Sequence, residues 1–101
     1  MYTLDDAETV NREAPSSFFI PPRQARENLL PGELAKLLFR VTAGGSTRVE
    51  RMWVRVDERV AGRYIGTLDN DARTDPTLVA GERVRFGPEH IIAIYEALRE
   101  A

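Results

Sequence analysis

Residues 49–58 read Val49-Glu50-Arg51-Met52-Trp53-Val54-Arg55-Val56-Asp57-Glu58. Met52, Val54 and Val56 alternate with Arg51, Trp53, Arg55 and Asp57, which is the two-residue period of a strand with one apolar and one polar face. That period sends a methionine and two valines inward and leaves an indole between guanidinium groups on the other side.

The flanking sequence repeats the pattern. Residues 34–41 place Ala35, Leu37, Phe39 and Val41 on one face and Lys36 and Arg40 on the other, and Ala43 to Thr47 is a glycine-containing hairpin loop. Downstream, Ala61-Gly62 is a second tight turn, residues 63–69 form a third strand with Gly66 as a bend or bulge, and residues 82–86 form a fourth. Helices are expected at both ends. Residues 23–30 suit two helical turns after Pro21-Pro22 and before Pro31-Gly32. Pro88 and Glu89 open a final helix with Ile91, Ile94 or Tyr95, and Leu98 at helical spacing. The expected fold class is therefore α+β: a small curled antiparallel sheet or half-open SH3-like barrel of about four to five strands, with an N-terminal and a C-terminal helix. Residues 1–17 read as a loosely ordered acidic segment, and 18–101 as one α+β domain.

Composition agrees with one domain. The chain has 101 residues, too few for two ordinary domains, and 43% are hydrophobic, enough for a core. Charged residues make up 30%, yet the net charge is only −2, which disfavours a general nucleic-acid binder held by many phosphate contacts. There is no cysteine, which removes disulfides, thiolate metal sites and cysteine nucleophiles and suits a reducing cytoplasm. Met1 to Asp6 shows no basic and apolar leader, and no apolar run is long enough to span a bilayer. A cytoplasmic protein with no membrane partner and no cofactor is expected.

A wider set of motifs carries a resemblance. Pro31-Gly32-Glu33, the Glu50 to Val56 strand, Gly62 to Asn70, and Gly81-Glu82-Arg83-Val84 together resemble a family of small bacterial proteins of unknown function with a Glu-x-Met-Trp-Val-x-Val strand. Asp69 before Asn70, and Ala72 in place of an expected proline, depart from the pattern. Some relatives look similar to immunity proteins that neutralise toxins. The resemblance implies a fold and no catalytic activity, and it makes a toxin one candidate partner.

Few residues suggest chemistry. His90 is the single histidine, with no second histidine or cysteine to complete a metal site, and reads as structural. Asp69, Asn70, Asp71 and Asp75 form an oxygen-rich loop that suits either a weak divalent cation or Asx turns; the turn reading is preferred, since the spacing does not match a calcium loop. Gly44-Gly45-Ser46-Thr47 lacks the lysine of a phosphate-binding loop. No catalytic or metal residue is assigned.

The candidate binding residues are Arg51, Trp53 and Arg55, joined across neighbouring strands by Arg83 and Arg85 and, on the same face, by Lys36 and Arg40. Arginine and tryptophan so placed can dock an acidic protein surface or stack bases. Two structural readings compete: Trp53 capped by Phe18-Phe19-Ile20 as ordinary core, and the arginines paired with Glu50, Asp57, Glu58 or Glu82 across strands. The acidic residues 5–13 also offer carboxylates to these arginines. The preferred function is a non-enzymatic protein-binding domain of immunity or regulatory type. The alternative is a nucleic-acid-binding small barrel, and a third reading is a hydrolase joining the aspartate loop to His90.

Overall fold

A computed structural model describes residues 1–95. The elements run β1 (Tyr2–Leu4), α1 (Ala7–Glu13), α2 (Arg23–Arg26), β2 (Leu34–Ala43), β3 (Ser46–Val60), β4 (Arg63–Leu68), β5 (Arg83–Phe86), a 3-10 turn at Pro88–His90, and β6 (Ile91–Tyr95). One antiparallel sheet contains all six strands in the order β1-β2-β3-β4-β5, with β6 also on β2. β3 takes one edge of β2 along its whole length. The other edge is shared: β6 pairs with Leu34–Leu37 and β1 with Phe39–Val41. The last strand therefore returns beside the first long one, and the meander curls into a half-barrel.

The alternation read from residues 34–41 and 49–58 sets the two faces. Leu37, Phe39, Val41, Val54, Val56, Tyr64, Leu68, Val84, Phe86 and Ile91 are fully buried on the concave side. Leu29 and Leu78 close its ends. Both long hairpins turn through two residues at positive φ, Gly44-Gly45 and Ala61-Gly62, the geometry that matches strand twist. Ala61 is the one non-glycine there, at φ 52°.

Opposite Gly66, β3 carries a bulge: Val56 pairs with Gly66, Glu58 with Ile65, and Asp57 is the extra residue. A Cβ on Gly66 would overlap the Arg55 carbonyl oxygen and come within 2.7 Å of the Val54 side chain. The glycine predicted as a bend or bulge lies opposite the β3 bulge, where the neighbouring backbone leaves no room for a Cβ.

Two helix predictions change. The two-turn helix over 23–30 is one turn, Arg23–Arg26. Beyond it the buried Tyr64 hydroxyl donates to Arg26 O (2.6 Å) and accepts from Leu29 N–H (3.1 Å), so a core side chain satisfies main-chain groups a second turn would have used. Pro31 further biases Leu30 away from helix. The final helix from residue 88 is, over Ile91–Tyr95, strand β6; its continuation past Tyr95 lies outside the described residues. A register shift opposite Lys36 and Leu37 explains the misreading. The bulge lets Ile91 and Ile94 both face the core three residues apart, which imitates helical spacing, while Ile92 faces the other way.

Residues 1–17 supply β1 and α1. Asp6 caps α1 by accepting from Thr9 N–H (3.0 Å). Ala7, fully buried, packs with Leu38 and Ile92 on the convex face, joined by Phe18 and Ile20. Arg26, 5% exposed, ties this layer down: it donates to Pro21 O, Pro88 O and the Glu8 carboxylate at 2.7–2.9 Å. Among the described residues no helix is long and apolar enough to cross a membrane.

Candidate functional site

The N-terminal layer covers the convex face over β2 and β6 at Leu38 and Ile92 and leaves the same face of β3 bare. Trp53 stands there, half-buried, directly across from Lys36. The Lys36 ammonium lies 5.0 Å from the indole centroid, and the exposed Tyr95 ring meets the indole edge-on at 6.3 Å. A cation over an indole face adds about 0.5–1 kcal/mol at an exposed site. The Phe18 to Ile20 segment packs with Leu38, Ala7 and Ile92 in a separate cluster, and Phe19 points to solvent.

Beside Trp53 runs an open groove of about 750 Å³, bounded by Lys36, Val49, Arg51 and Trp53 on the sheet and by Asn70 and Arg73 on the loop after β4. The loop is held by its own polar side chains. Asn70 Oδ1 accepts from Trp53 N–H (2.6 Å), and Asp69 N–H donates to Trp53 O (2.9 Å). Asp71 accepts from Ala80 N–H (3.0 Å). Glu50 accepts from Arg73 and Thr74 N–H at 2.8 and 2.9 Å. Burial pushes the Glu50 carboxyl up, but these two amides and the Arg73 charge outweigh it and hold it below the usual carboxylate range. Asp75 accepts from the Thr77 hydroxyl (2.7 Å) and amide (2.9 Å), and its Oδ2 meets the Met1 ammonium at 3.0 Å; these bonds lower it to about 2. Of these side chains only Asp75 closes a local turn, onto Thr77, while Asn70 and Asp71 bond distant main-chain amides; among the described residues no group of three or more His, Cys, Asp or Glu could hold a metal ion.

The candidate arginines divide into three places. Arg51 lines the groove, exposed, and makes no ion pair among the described residues. Arg55 donates to Asp57 (3.3 Å), whose carboxylate also accepts from the Thr67 hydroxyl (2.5 Å). The Thr67 bond first, then Arg55 and the Arg83 charge, hold Asp57 below its ordinary range. Arg83 sits across from Thr67, in one cross-strand row with Arg55. Arg85 is paired with Ile65 and borders a smaller hollow with Val60 and Arg63. All five residues share the convex face, but the geometry brings together Lys36, Arg51 and Trp53 and keeps Arg83 and Arg85 two strands away. The acidic segment reaches other arginines: Asp5 grips Arg40 through two bonds (2.8 and 2.9 Å), and Glu8 takes Arg26.

His90, the last residue of the 3-10 turn, is half-buried. Its Nδ1 accepts from Gly87 N–H (3.0 Å), so the ring is neutral there, and burial lowers its pKa despite Glu89 nearby. Its partners, Gly87 and Glu89, are not shared with any residue of the aspartate loop.

Sequence reading leaves Tyr95 and Arg73 out of the site and names Asn70 only as an oxygen of the aspartate loop. Tyr95 was placed on a helix face. The other two come from the loop after β4, whose path over β3 no local period reveals. No protein-family model, curated protein or solved structure matches this chain.

Proposed function

We propose that this protein is a non-enzymatic protein-binding domain that receives an acidic partner surface on the convex face of β3, with Trp53 at the contact centre and Lys36 and Arg51 beside it. The observation that carries the reading is the indole itself. It is the largest side chain on that face, the N-terminal layer stops short of it, and it lies between two cations and an exposed tyrosine. Tryptophan, tyrosine and arginine are the residues that dominate interface energetics. The connectivity, four meandering strands and a fifth that returns after a 3-10 turn, supports a half-open barrel of SH3-like type that presents one sheet face. The motif resemblance supports an immunity-type or regulatory role in a bacterial cytoplasm, with a toxin as one partner.

The test is affinity capture with the wild-type chain and with Trp53→Ala, Arg51→Glu and Arg85→Glu. The reading expects one specific partner, lost with the first two variants and retained with Arg85→Glu. Capture unaffected by Trp53→Ala in a folded protein refutes it. Steeply salt-dependent binding to oligonucleotides, with no protein partner, selects the nucleic-acid alternative.

A further inference from the structure

β3 has a strand on both sides only at Val54 and Arg55. Residues 46–55 lie against β2, whereas β4 begins its pairing at Val54↔Leu68. Trp53 gives its N–H to Asn70 and its carbonyl to Asp69, both away from β2. Antiparallel partners alternate between those that bond each other and those that face outward. Thr47, Val49 and Arg51 therefore turn their N–H and C=O groups the same way as Trp53. On the opposite edge of β2 the same alternation holds, since Leu38 O and Thr42 N bond the N-terminal segment. Among the described residues nothing pairs with the main chain of Thr47, Val49 or Arg51 on this side. The groove beside Trp53 is the space along that edge.

We infer that this edge accepts an extended acidic segment of a partner protein as an added strand. The inference rests on the protein-binding reading and names the form of the ligand. Asn70 and Asp69 already continue the β4 ladder to Trp53, so an incoming strand of about five residues takes up the pattern at Arg51 and runs to Thr47. Edge strands that must stay unpaired are blunted by proline, bulges or charge; residues 46–52 contain no proline and keep unbroken register with β2, and their charges, Arg48, Glu50 and Arg51, disfavour an apolar strand without closing the main chain to an acidic one. Charge selects the occupant. Arg48, Arg51, Arg73 and Lys36 border the groove, while the Glu50 and Asp71 carboxylates are occupied by loop amides. Two copies of this edge paired about Val49 would set Arg48 against Glu50, but loop amides already hold that carboxylate, so the cations of the groove favour an acidic segment over a second copy.

The probe is a synthetic acidic peptide of alternating Glu and Val, seven residues long, added to the full chain. In the free protein, the amides of Thr47, Val49 and Arg51 are expected to exchange fast, and those of Arg48, Glu50 and Met52, bonded to β2, slowly. Saturation with the peptide is expected to slow the first three at least tenfold. Val49→Pro removes an N–H that no internal bond uses, so the sheet persists, and binding is expected to weaken tenfold or more. The same loss is expected for wild-type protein with the peptide N-methylated on alternate amides, which needs no mutation. A Lys–Val peptide is expected not to bind. The inference is overturned if the acidic peptide fails to bind at millimolar concentration, if binding leaves the three amides fast, or if Val49→Pro binds normally. A natural partner lost by Trp53→Ala but kept by Val49→Pro ends the added-strand proposal and leaves the protein-binding reading standing. Loss of neither sinks both.

Discussion

Trp53→Ala, read together with indole accessibility, separates an interface tryptophan from a core one, and the structure sets the scale. Most of the indole is covered and one rim is accessible, so roughly 150 Å² of its apolar surface leaves solvent on folding, worth roughly 4 kcal/mol at about 25 cal/mol per Å². That figure is an upper bound, because the unfolded chain already shields part of the ring. The Lys36 contact at 5.0 Å adds about 0.5 kcal/mol. The expected loss is then about 3–4 kcal/mol, against about 5–15 kcal/mol of total stability for a domain of this size. Phe39→Ala, at a site with no exposure, is expected to cost about 3–5 kcal/mol. Urea unfolding followed by far-ultraviolet circular dichroism is the assay, since Trp53 is the sole tryptophan and the variant has no indole emission. In the same preparations, iodide should quench wild-type Trp53 readily. In binding, a contact centre should cost about 2 kcal/mol or more, close to 30-fold in Kd. Stability loss alone does not separate the two sites, so accessibility decides: an indole that iodide cannot reach in the folded wild-type protein would show that the ring is sealed and that the convex face is not a docking surface.

Tyr64→Phe removes both bonds that stop α2 and leaves Arg26 O and Leu29 N–H buried without a partner, so it should cost about 2–4 kcal/mol in urea despite its near-identical volume. Gly66→Ala forces apart β3 and β4 at the bulge and should cost at least about 2 kcal/mol, whereas Ala61→Asn, at a residue held at φ 52°, should gain about 0.5–1 kcal/mol; thermal melts check both. Acid should unfold the protein through Asp75, whose folded pKa near 2 lies below its unfolded value. Its contribution is complete above about pH 4 and disappears as pH falls toward 2, and Asp75→Asn should flatten that part of the stability–pH curve. His90, also lowered in the folded state, acts in the same direction from about pH 6.5 downward, so His90→Gln should reduce the loss between pH 6.5 and 5.

How much of this was legible depended on whether the information was local. The β2 and β3 faces were, because alternation from Ala35 to Val41 and from Met52 to Val56 needs only a solvent boundary to specify inside and outside. β6 was not. A bulge opposite Lys36 converts a two-residue period into the three-residue spacing of Ile91 and Ile94, and from sequence alone that spacing belongs to a helix. α2 was foreshortened for a related reason: its propensity runs to Leu30, but Tyr64, 38 residues after Arg26, ends it. Competition between a local preference and a distant hydroxyl leaves no mark in either segment read by itself.

The candidate site shows the same division and gives it a functional meaning. That Arg51, Trp53 and Arg55 face one way follows from a period of two; which arginine remains available does not. Asp57 takes Arg55 because a bulge turns that carboxylate toward Thr67. Asp5 takes Arg40 because β1 reaches back across the whole N-terminal third of the chain to pair with β2. Arg51 is left because the residues of its own row, Leu38 and the bare edge of β3, carry no carboxylate. The loop from Asn70 to Thr74, legible only as polar, supplies the decisive asymmetry. It takes up the Trp53 main chain and the Glu50 carboxylate, then leaves Thr47, Val49 and Arg51 uncovered. Replacing Asn70 by Ala should release Trp53 N–H and extend the free edge by one residue. If the edge is where a partner pairs, Asn70→Ala should lower stability by about 1 kcal/mol and yet leave affinity for the acidic peptide unchanged or increased. A large fall in affinity instead would mean that the loop, and not the open strand, makes the contact.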